Sequence, residues 1–215
     1  MKKKLLINQL ISAICIIVII LGIIVVATKG FEKSLDYAKV NRIELYLENG
    51  YNKEEITQIA KDTFGEKKFQ IYDVDKFNQV VAIDLRESYS EEEIEVLKTS
   101  VAEKLSIDSE DITIYEINVP TVIIRDIVKP YLQPMIITTV LIVIYIILRN
   151  IKSVENIMNK TIKMLSAILL TEGVYFSLIA ILGLPINKLT MPIAIVIYLL
   201  SIVINIIIDN KDSKK

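Results

Sequence analysis

The sequence contains no histidine and only one cysteine, Cys15. A single cysteine excludes an intrachain disulfide, and the lack of histidine removes the commonest metal ligand and the usual general acid–base residue. The chain also has no phosphate-binding glycine loop and no recognisable nucleophile–base pair, so we expect no enzyme activity, no metal and no cofactor. Cys15 lacks the small preceding residue that lipoprotein cleavage needs, which predicts a lipid-facing or packed thiol.

Hydrophobic residues make up 53% of the chain and are concentrated in four runs. These runs lie at Leu5 to Thr28 and at about 130 to 148, 164 to 186 and 189 to 208. Each has about the ~20 residues that are needed to cross ~30 Å of hydrocarbon. The first run is longer than a signal-peptide core and has no small-x-small cleavage site. We therefore predict four transmembrane helices, the first of which is retained.

The distribution of charge predicts the orientation of these helices. Residues 31 to 128 carry 22 acidic and 12 basic side chains, whereas the rest of the chain carries 4 acidic and 13 basic ones. The basic residues beside the runs form three clusters on one side of a four-span topology: Lys2, Lys3 and Lys4; Arg149, Lys152, Lys160 and Lys163; and Lys211, Lys214 and Lys215. The positive-inside rule makes that side cytoplasmic. We expect a multi-pass protein of the cell membrane with both termini in the cytoplasm and no nucleic-acid partner.

Between the first two runs, alternating apolar residues and amphipathic stripes predict a small α/β domain. Strands are predicted at Arg42 to Glu48, Phe69 to Asp73, Gln79 to Leu85 and Ile112 to Val119, with a polar turn from Asp75 to Asn78. Two helices are predicted, each with an N-cap and a glutamate three residues later: Asn52 with Glu55, and Ser90 with Glu93. The order βαββαβ is typical of the ferredoxin-like unit. The predicted domains are therefore a 1–30 anchor, a 31–127 extracytoplasmic domain and a 128–215 bundle.

The second predicted helix begins with an acidic run, Glu91, Glu92, Glu93 and Glu95. Such a run could bind a cation, but acids in a first turn also complement the helix dipole on a solvated face. We favour the second interpretation.

Glu172 is a carboxyl group near the middle of the third run, where charge is costly and an acid is a functional candidate. Tyr198, Ser201 and Asn205 form one polar stripe on the fourth run at helical spacing. Folding the two helices about the turn from Leu184 to Leu189 predicts that Ser201 and Asn205 lie at the depth of Glu172 and form a hydrogen-bonded cluster with it. Three roles stay open for Glu172: a protonated interhelical hydrogen-bonding group, a proton-linked or ion-linked group, or an exposed side chain that snorkels.

Several segments, in order along the chain, resemble the SecD/SecF family of accessory subunits of the Sec protein translocase. Ser34 to Leu45 is similar to the family motif G-[IL]-D-F-x-G-G-x-x-I-E-L, with Asp36 and Tyr37 at its acidic and aromatic positions, although the family's glycines are replaced. The other matches are Tyr145 to Arg149 at the exit of the second span, Glu172 to Tyr175 in the third span, and Gly183 to Asn187 in the turn that follows.

The resemblance implies a SecF-like subunit with a ferredoxin-like external domain. Glu172 falls where SecF has an intramembrane aspartate, and Asn205 stands at or beside the family's Asn-Asp pair. The chain departs from the family in having no second intramembrane acid and no counterpart of the last two spans. Family members use proton motive force to help to pull exported polypeptides out of the translocon, so the implied partners are a SecD-like subunit or the translocon and exported chains.

Two functions remain open at this point. The first is a SecF-like membrane subunit that assists protein export, with or without a complete proton relay. The alternative is a structural or sensory membrane protein that has no transport role and uses its extracytoplasmic domain only for protein binding.

Overall fold

A computed structural model describes residues 2–47, 50–74 and 79–212, and within these ranges the side chains from residue 9 to residue 210. The protein is α+β, with four long apolar helices and one small antiparallel sheet. Its contacts divide it into two compact units, Leu35–Val122 and a second one formed by Met1–Ser34 with Ile123–Lys215. The predicted domain, 31–127, extends beyond the Leu35–Val122 unit by four residues at its start and by five at its end, where the helix after the sheet already begins at Ile124.

The Leu35–Val122 unit has four strands and two helices. The strands are β1 (Val40–Tyr46), β2 (Phe69–Asp73), β3 (Val80–Leu85) and β4 (Thr113–Val119), and they lie in the order β2-β3-β1-β4 with every neighbouring pair antiparallel. The helices are α2 (Lys53–Phe64) and α3 (Glu91–Leu105), and a 3-10 turn covers Ser109–Asp111. The predicted turn from Asp75 to Asn78 and the end of the first predicted strand, Glu48, lie outside the described residues.

Local signals explain where the two helices begin and end. Asn52 accepts a hydrogen bond from the Glu54 backbone N–H at 2.9 Å, and Gly65 ends α2 with a positive φ of 59°. At the start of α3, the Ser90 hydroxyl accepts from the Glu93 backbone N–H and the Glu93 carboxylate accepts from the Ser90 backbone N–H, which completes the capping box. These caps satisfy N–H groups that have no partner inside the helix.

The core of this unit lies between both helices and one face of the sheet. Alternate residues of the two central strands point into it, since a strand exposes its side chains to opposite faces in turn. The fully buried members include Ile43, Leu45, Val81, Ile83 and Leu85 from the sheet, and Ile56, Ile59, Leu97 and Val101 from the helices. Burial of each such side chain contributes about 1.5 to 3 kcal/mol.

Four helices of the second unit are long and apolar enough to cross a membrane, as predicted: α1 (Lys2–Lys29), α4 (Ile124–Arg149), α5 (Val154–Ile181) and α6 (Thr190–Asp212). The helices α4 and α5 begin before the predicted runs, at 130 and 164, because polar turns that flank the membrane segments are also helical. The side chains of the terminal lysines, Lys2 to Lys4 and Lys211, Lys214 and Lys215, lie outside the described residues.

Candidate functional site

Glu172 lies on α5, a helix that is long and apolar enough to cross a membrane. It is four residues beyond Ile168 and eight beyond Met164, so it continues the stripe of α5 that packs in the apolar core with α4 and α6. Both of its carboxyl oxygens are buried, and neither has a hydrogen-bond partner among the residues that the structure describes. A buried polar group without a partner costs about 1 to 3 kcal/mol, so this carboxyl group does not stabilise the bundle by hydrogen bonding.

The predicted cluster of Glu172 with Ser201 and Asn205 is wrong. The ion pair between Lys160 Nζ and Asp209 Oδ2, at 2.9 Å, fixes the register of α5 against α6. Glu172 is twelve residues from Lys160, about 18 Å along the helix, whereas Asn205 is only four residues, about 6 Å, from Asp209. Glu172 and Asn205 therefore lie at different depths.

The connection between α5 and α6 differs from the hairpin on which the predicted depths depended. A symmetric fold about residues 184 to 189 would place Glu172 opposite Ser201, but the connection is not a symmetric hairpin. Ile186 leaves it to pair with the segment after α1, donating to the Glu32 carbonyl and accepting from the Ser34 backbone N–H, each at 2.9 Å. Asn205 instead donates to the Ser201 carbonyl of its own helix at 2.8 Å, and the buried Ser201 hydroxyl has no partner among the described residues.

Tyr198, the third member of the predicted stripe, connects α6 to α4. Its hydroxyl donates to the Met135 carbonyl at 2.9 Å and lies 2.7 Å from the Thr139 hydroxyl. Tyr198 is buried against Ile168 and Ile202. These contacts give Tyr198 a packing role, and no hydrogen bond joins it to Glu172 in the part of the chain that the structure describes.

Three sequence candidates, Tyr145, Arg149 and Asn205, meet in a cleft at one end of the bundle. We call it the basic cleft; it lies where α4 and α6 end and α5 begins, and its lining residues are Tyr145, Ile146, Arg149, Asn150, Lys160, Lys163, Met164, Asn205, Ile206 and Asp209. Arg149 Nη1 donates to the Tyr145 hydroxyl at 3.1 Å. The cleft thus has three cationic side chains and one carboxylate.

The motif residues Gly183 and Asn187 shape the turn before α6. Gly183 has a positive φ of 61°, a conformation that glycine adopts without strain. The Asn187 side-chain oxygen accepts from the backbone N–H groups of Leu189, at 2.9 Å, and Thr190, at 3.2 Å, and so caps α6. Both residues are explained by local geometry.

The motif residues Asp36 and Tyr37 belong to the α/β unit. The Asp36 carboxylate accepts from the Tyr72 hydroxyl at 2.8 Å, and the Tyr37 carbonyl accepts from the Val122 backbone N–H at 3.0 Å. The Tyr72 pKa is raised by burial and by this bond to Asp36. Asp36 and Tyr37 therefore attach the entry and exit segments of this unit to its sheet.

Sequence reasoning missed the polar centre of the sheet face opposite the helices. Arg42 on β1 makes two hydrogen bonds to the Asp84 carboxylate on β3, at 2.7 and 2.9 Å, and its guanidinium lies 5.9 Å from the centre of the Tyr72 ring. The bond to Asp84 raises the pKa of Arg42 despite its partial burial. The only sequence signal was an acid, Asp84, within an otherwise apolar strand.

A close helix contact was also missed. A Cβ atom added at Gly22 of α1 would overlap Ser177 of α5, and one added at Gly173 would come within 2.9 Å of Ile19. Small residues allow membrane helices to approach closely. The spacing of Gly173 and Ser177, four residues apart, was the available signal.

The described residues include no group of three or more cysteine, aspartate or glutamate side chains arranged to hold a metal ion. The candidate sites are thus the buried carboxyl group of Glu172 and the basic cleft. Comparison of the chain with known protein families finds no matching family, and comparison with characterised proteins finds no match.

Proposed function

We propose that the chain is a SecF-like accessory membrane subunit that assists protein export. The observation that carries the proposal is the order of its parts: an apolar helix, a βαββαβ unit, and three further apolar helices, of which the second carries a buried acid. This order agrees with the resemblance of the sequence to the SecD/SecF family.

We assign the α/β unit to the ferredoxin-like fold. The strand order β2-β3-β1-β4 with all pairs antiparallel supports the assignment, because two interleaved βαβ units bring the first and third strands to the centre of such a sheet. Both helices pack on one face of the sheet, which leaves the other face for a partner. In our proposal the unit lies outside the cytoplasm and contacts exported polypeptides or the external domain of a SecD-like subunit.

Glu172 is proposed to bind and release a proton while the subunit assists export. A carboxyl group held in a bundle without a hydrogen-bond partner is costly, and acids kept at membrane depth are usually functional. Because no described residue bonds to its carboxyl group, a role as an interhelical hydrogen-bonding group is not favoured. Asn205 lies at another depth, so any relay would pass through Glu172 without Asn205.

The test is a pulse-chase measurement of precursor maturation in the native host after deletion of the gene. We expect deletion to slow export and the wild-type gene to restore it. Glu172→Gln and Glu172→Leu should both fail to restore export at normal protein levels, since each removes the titrating group. Thr171→Val is the matched control: among the described residues the Thr171 hydroxyl bonds to the Ala167 and Ile168 carbonyls of its own helix, and its loss should leave export intact. Normal export in the deletion strain would contradict the proposal.

The alternative is a structural or sensory membrane protein that binds other proteins and has no transport role. It is favoured by exposed apolar side chains on the sheet face opposite the helices, where Tyr46 and Tyr115 stack edge to face with ring centres 5.3 Å apart beside the exposed Ile117. A deletion strain with normal export, in which Tyr115→Ala abolishes a cross-link to another membrane protein, would support this alternative.

A further inference from the structure

The basic cleft has more positive charge than its described carboxylate neutralises. Lys160 is paired with Asp209 at 2.9 Å, with both side chains largely buried, at 21% and 26% exposed. Neither Arg149 nor Lys163 has a carboxylate within 4.0 Å among the residues that the structure describes. Counted over the described lining residues, with three cations against Asp209, the cleft has an excess of two positive charges.

The polar groups of the cleft are mainly donors of hydrogen bonds. Arg149 uses one N–H for Tyr145, which leaves the other N–H groups of its guanidinium available. Asn150 and Asn205 each donate one amide hydrogen to a carbonyl of their own helix, at 2.8 Å, and each retains a second. A site rich in donors with a double positive charge suits a ligand whose oxygens accept several hydrogen bonds and carry negative charge.

The position of the cleft favours a ligand that also has an apolar part. It lies at the ends of three helices that are long enough to span a membrane, the level at which lipid phosphates are found. Ile146, Met164 and Ile206 line it on the side toward the bundle core. Basic pockets between membrane helices are typical binding sites for anionic lipid headgroups.

We propose that the basic cleft binds a phosphate group, with Arg149 and Lys163 as its principal ligands. The phosphate could belong to an anionic lipid headgroup or to a free phosphate ion, and these share the recognition chemistry. The inference is independent of the export proposal, because it uses no property of Glu172 or of the α/β unit.

The experiment measures thermal unfolding of the full-length protein in uncharged detergent with three probes: phosphatidylglycerol, phosphatidylcholine and inorganic phosphate. We expect phosphatidylglycerol to raise the unfolding midpoint and phosphatidylcholine not to do so. If inorganic phosphate alone raises the unfolding midpoint equally, the ligand is a free phosphate ion. That result would still support the cleft as the binding site. The shift should decrease as salt increases, because the attraction is electrostatic.

Variants then locate the effect. Arg149→Gln combined with Lys163→Gln should weaken binding of phosphatidylglycerol roughly tenfold or more. Lys152→Gln is the matched control, since Lys152 is an exposed cation in the adjoining loop that does not line the cleft. An equal loss in the control and the double variant, or no shift with either phosphate probe, would overturn the proposal.

Asp209→Asn separates binding from a merely structural role. The substitution removes the negative charge of the cleft, so phosphate binding should become tighter even though the ion pair with Lys160 is lost. If the cleft residues only hold the helices together, Asp209→Asn should lower the midpoint and leave the phosphate-dependent shift unchanged. That result would contradict the assignment of the cleft as a binding site.

Discussion

At the scale of single residues, the polar side chains of α6 differ in what they contribute. Tyr198 donates to the Met135 carbonyl on α4 and lies beside the Thr139 hydroxyl, whereas the buried Ser201 hydroxyl has no partner among the described residues. Tyr198 and Ser201 lie in the same helical stripe, but they contribute differently to stability.

This contrast predicts that two conservative substitutions differ in their effect on stability. Tyr198→Phe should lower the free energy of unfolding by about 0.6 to 1.7 kcal/mol, between the average and the largest value measured for interhelical hydrogen bonds in a membrane protein. Ser201→Ala should leave it unchanged or raise it slightly, because no hydrogen bond is lost. Equilibrium unfolding of the full-length protein in detergent measures both. A larger loss for Ser201→Ala than for Tyr198→Phe would contradict a stabilising role of the Tyr198 hydrogen bonds to α4.

The same residues show why one part of the site could not be predicted. Periodicity identified Tyr198, Ser201 and Asn205 as one face, since spacing along a single helix is a local property. The depth of that face relative to Glu172 depends on how α5 and α6 pair, as contacts such as the Lys160–Asp209 ion pair show. These contacts join residues distant in sequence, and a single sequence does not reveal them.

At the scale of elements, the close contact between α1 and α5 depends on a glycine, which has no side chain. Gly22 is buried against Ser177, and any Cβ atom there would overlap it. The helix α1 can therefore approach α5 this closely because residue 22 has no side chain.

We therefore expect Gly22→Leu to separate α1 from α5. The larger side chain cannot be accommodated without displacement of a helix, and overpacking of this kind costs about 1 to 3 kcal/mol. Ala27→Leu is the control, because Ala27 is an exposed residue of the same helix and also gains a leucine. The measurement is the unfolding midpoint of each variant in detergent. Equal midpoints for the two variants would show that the contact at Gly22 is unimportant.

At the start of α3, a paired carboxylate makes the stability of the α/β unit depend on pH. Lys67 Nζ lies 2.6 Å from the Glu93 carboxylate, and this bond, together with the Ser90 backbone N–H, holds the pKa of Glu93 below its usual value. Lys53 and Tyr51 lower the pKa of Asp73 in the same way. A carboxyl group with a depressed folded-state pKa contributes stability above its unfolded pKa, about 4, and loses it as pH falls through the folded pKa.

The isolated segment 35–122 should accordingly be soluble, show mixed α/β circular dichroism and lose stability below about pH 4. Glu93→Gln should reduce that acid dependence and lower stability at pH 7 by less than about 1 kcal/mol, as expected for a partly exposed ion pair. Glu92→Gln, which changes an exposed acid of the same helical turn, should leave the acid dependence as in the wild type. Denaturant unfolding at several pH values provides the test. Identical profiles for the two variants would mean that the Lys67–Glu93 pair does not stabilise the unit.

At the scale of the whole molecule, the features readable from sequence were those that repeat over short distances. Alternation located β1 to β4, the Ser90–Glu93 capping box located the start of α3, and long apolar runs located the four membrane helices. The Arg42–Asp84 pair and the basic cleft were not predicted as units, because each joins residues from separate elements. Sequence thus predicts elements here more fully than it predicts sites.

Orientation in the membrane remains a prediction from charge, and it can be tested directly. Cys15 is first replaced by serine, and single cysteines are introduced by Glu54→Cys in α2 and Lys152→Cys in the loop between α4 and α5; both positions are exposed. The loop belongs to a short basic cluster, and such clusters are retained in the cytoplasm, whereas the segment 31 to 128 has ten more acidic than basic residues. A membrane-impermeant maleimide should therefore label the α2 position in intact cells and the loop position only after permeabilisation.

Four spans place the α/β unit and this loop on opposite sides, so labelling of the loop alone in intact cells would reverse the orientation. Labelling of both positions would mean that α4, the one apolar helix between them in the described chain, does not cross the membrane.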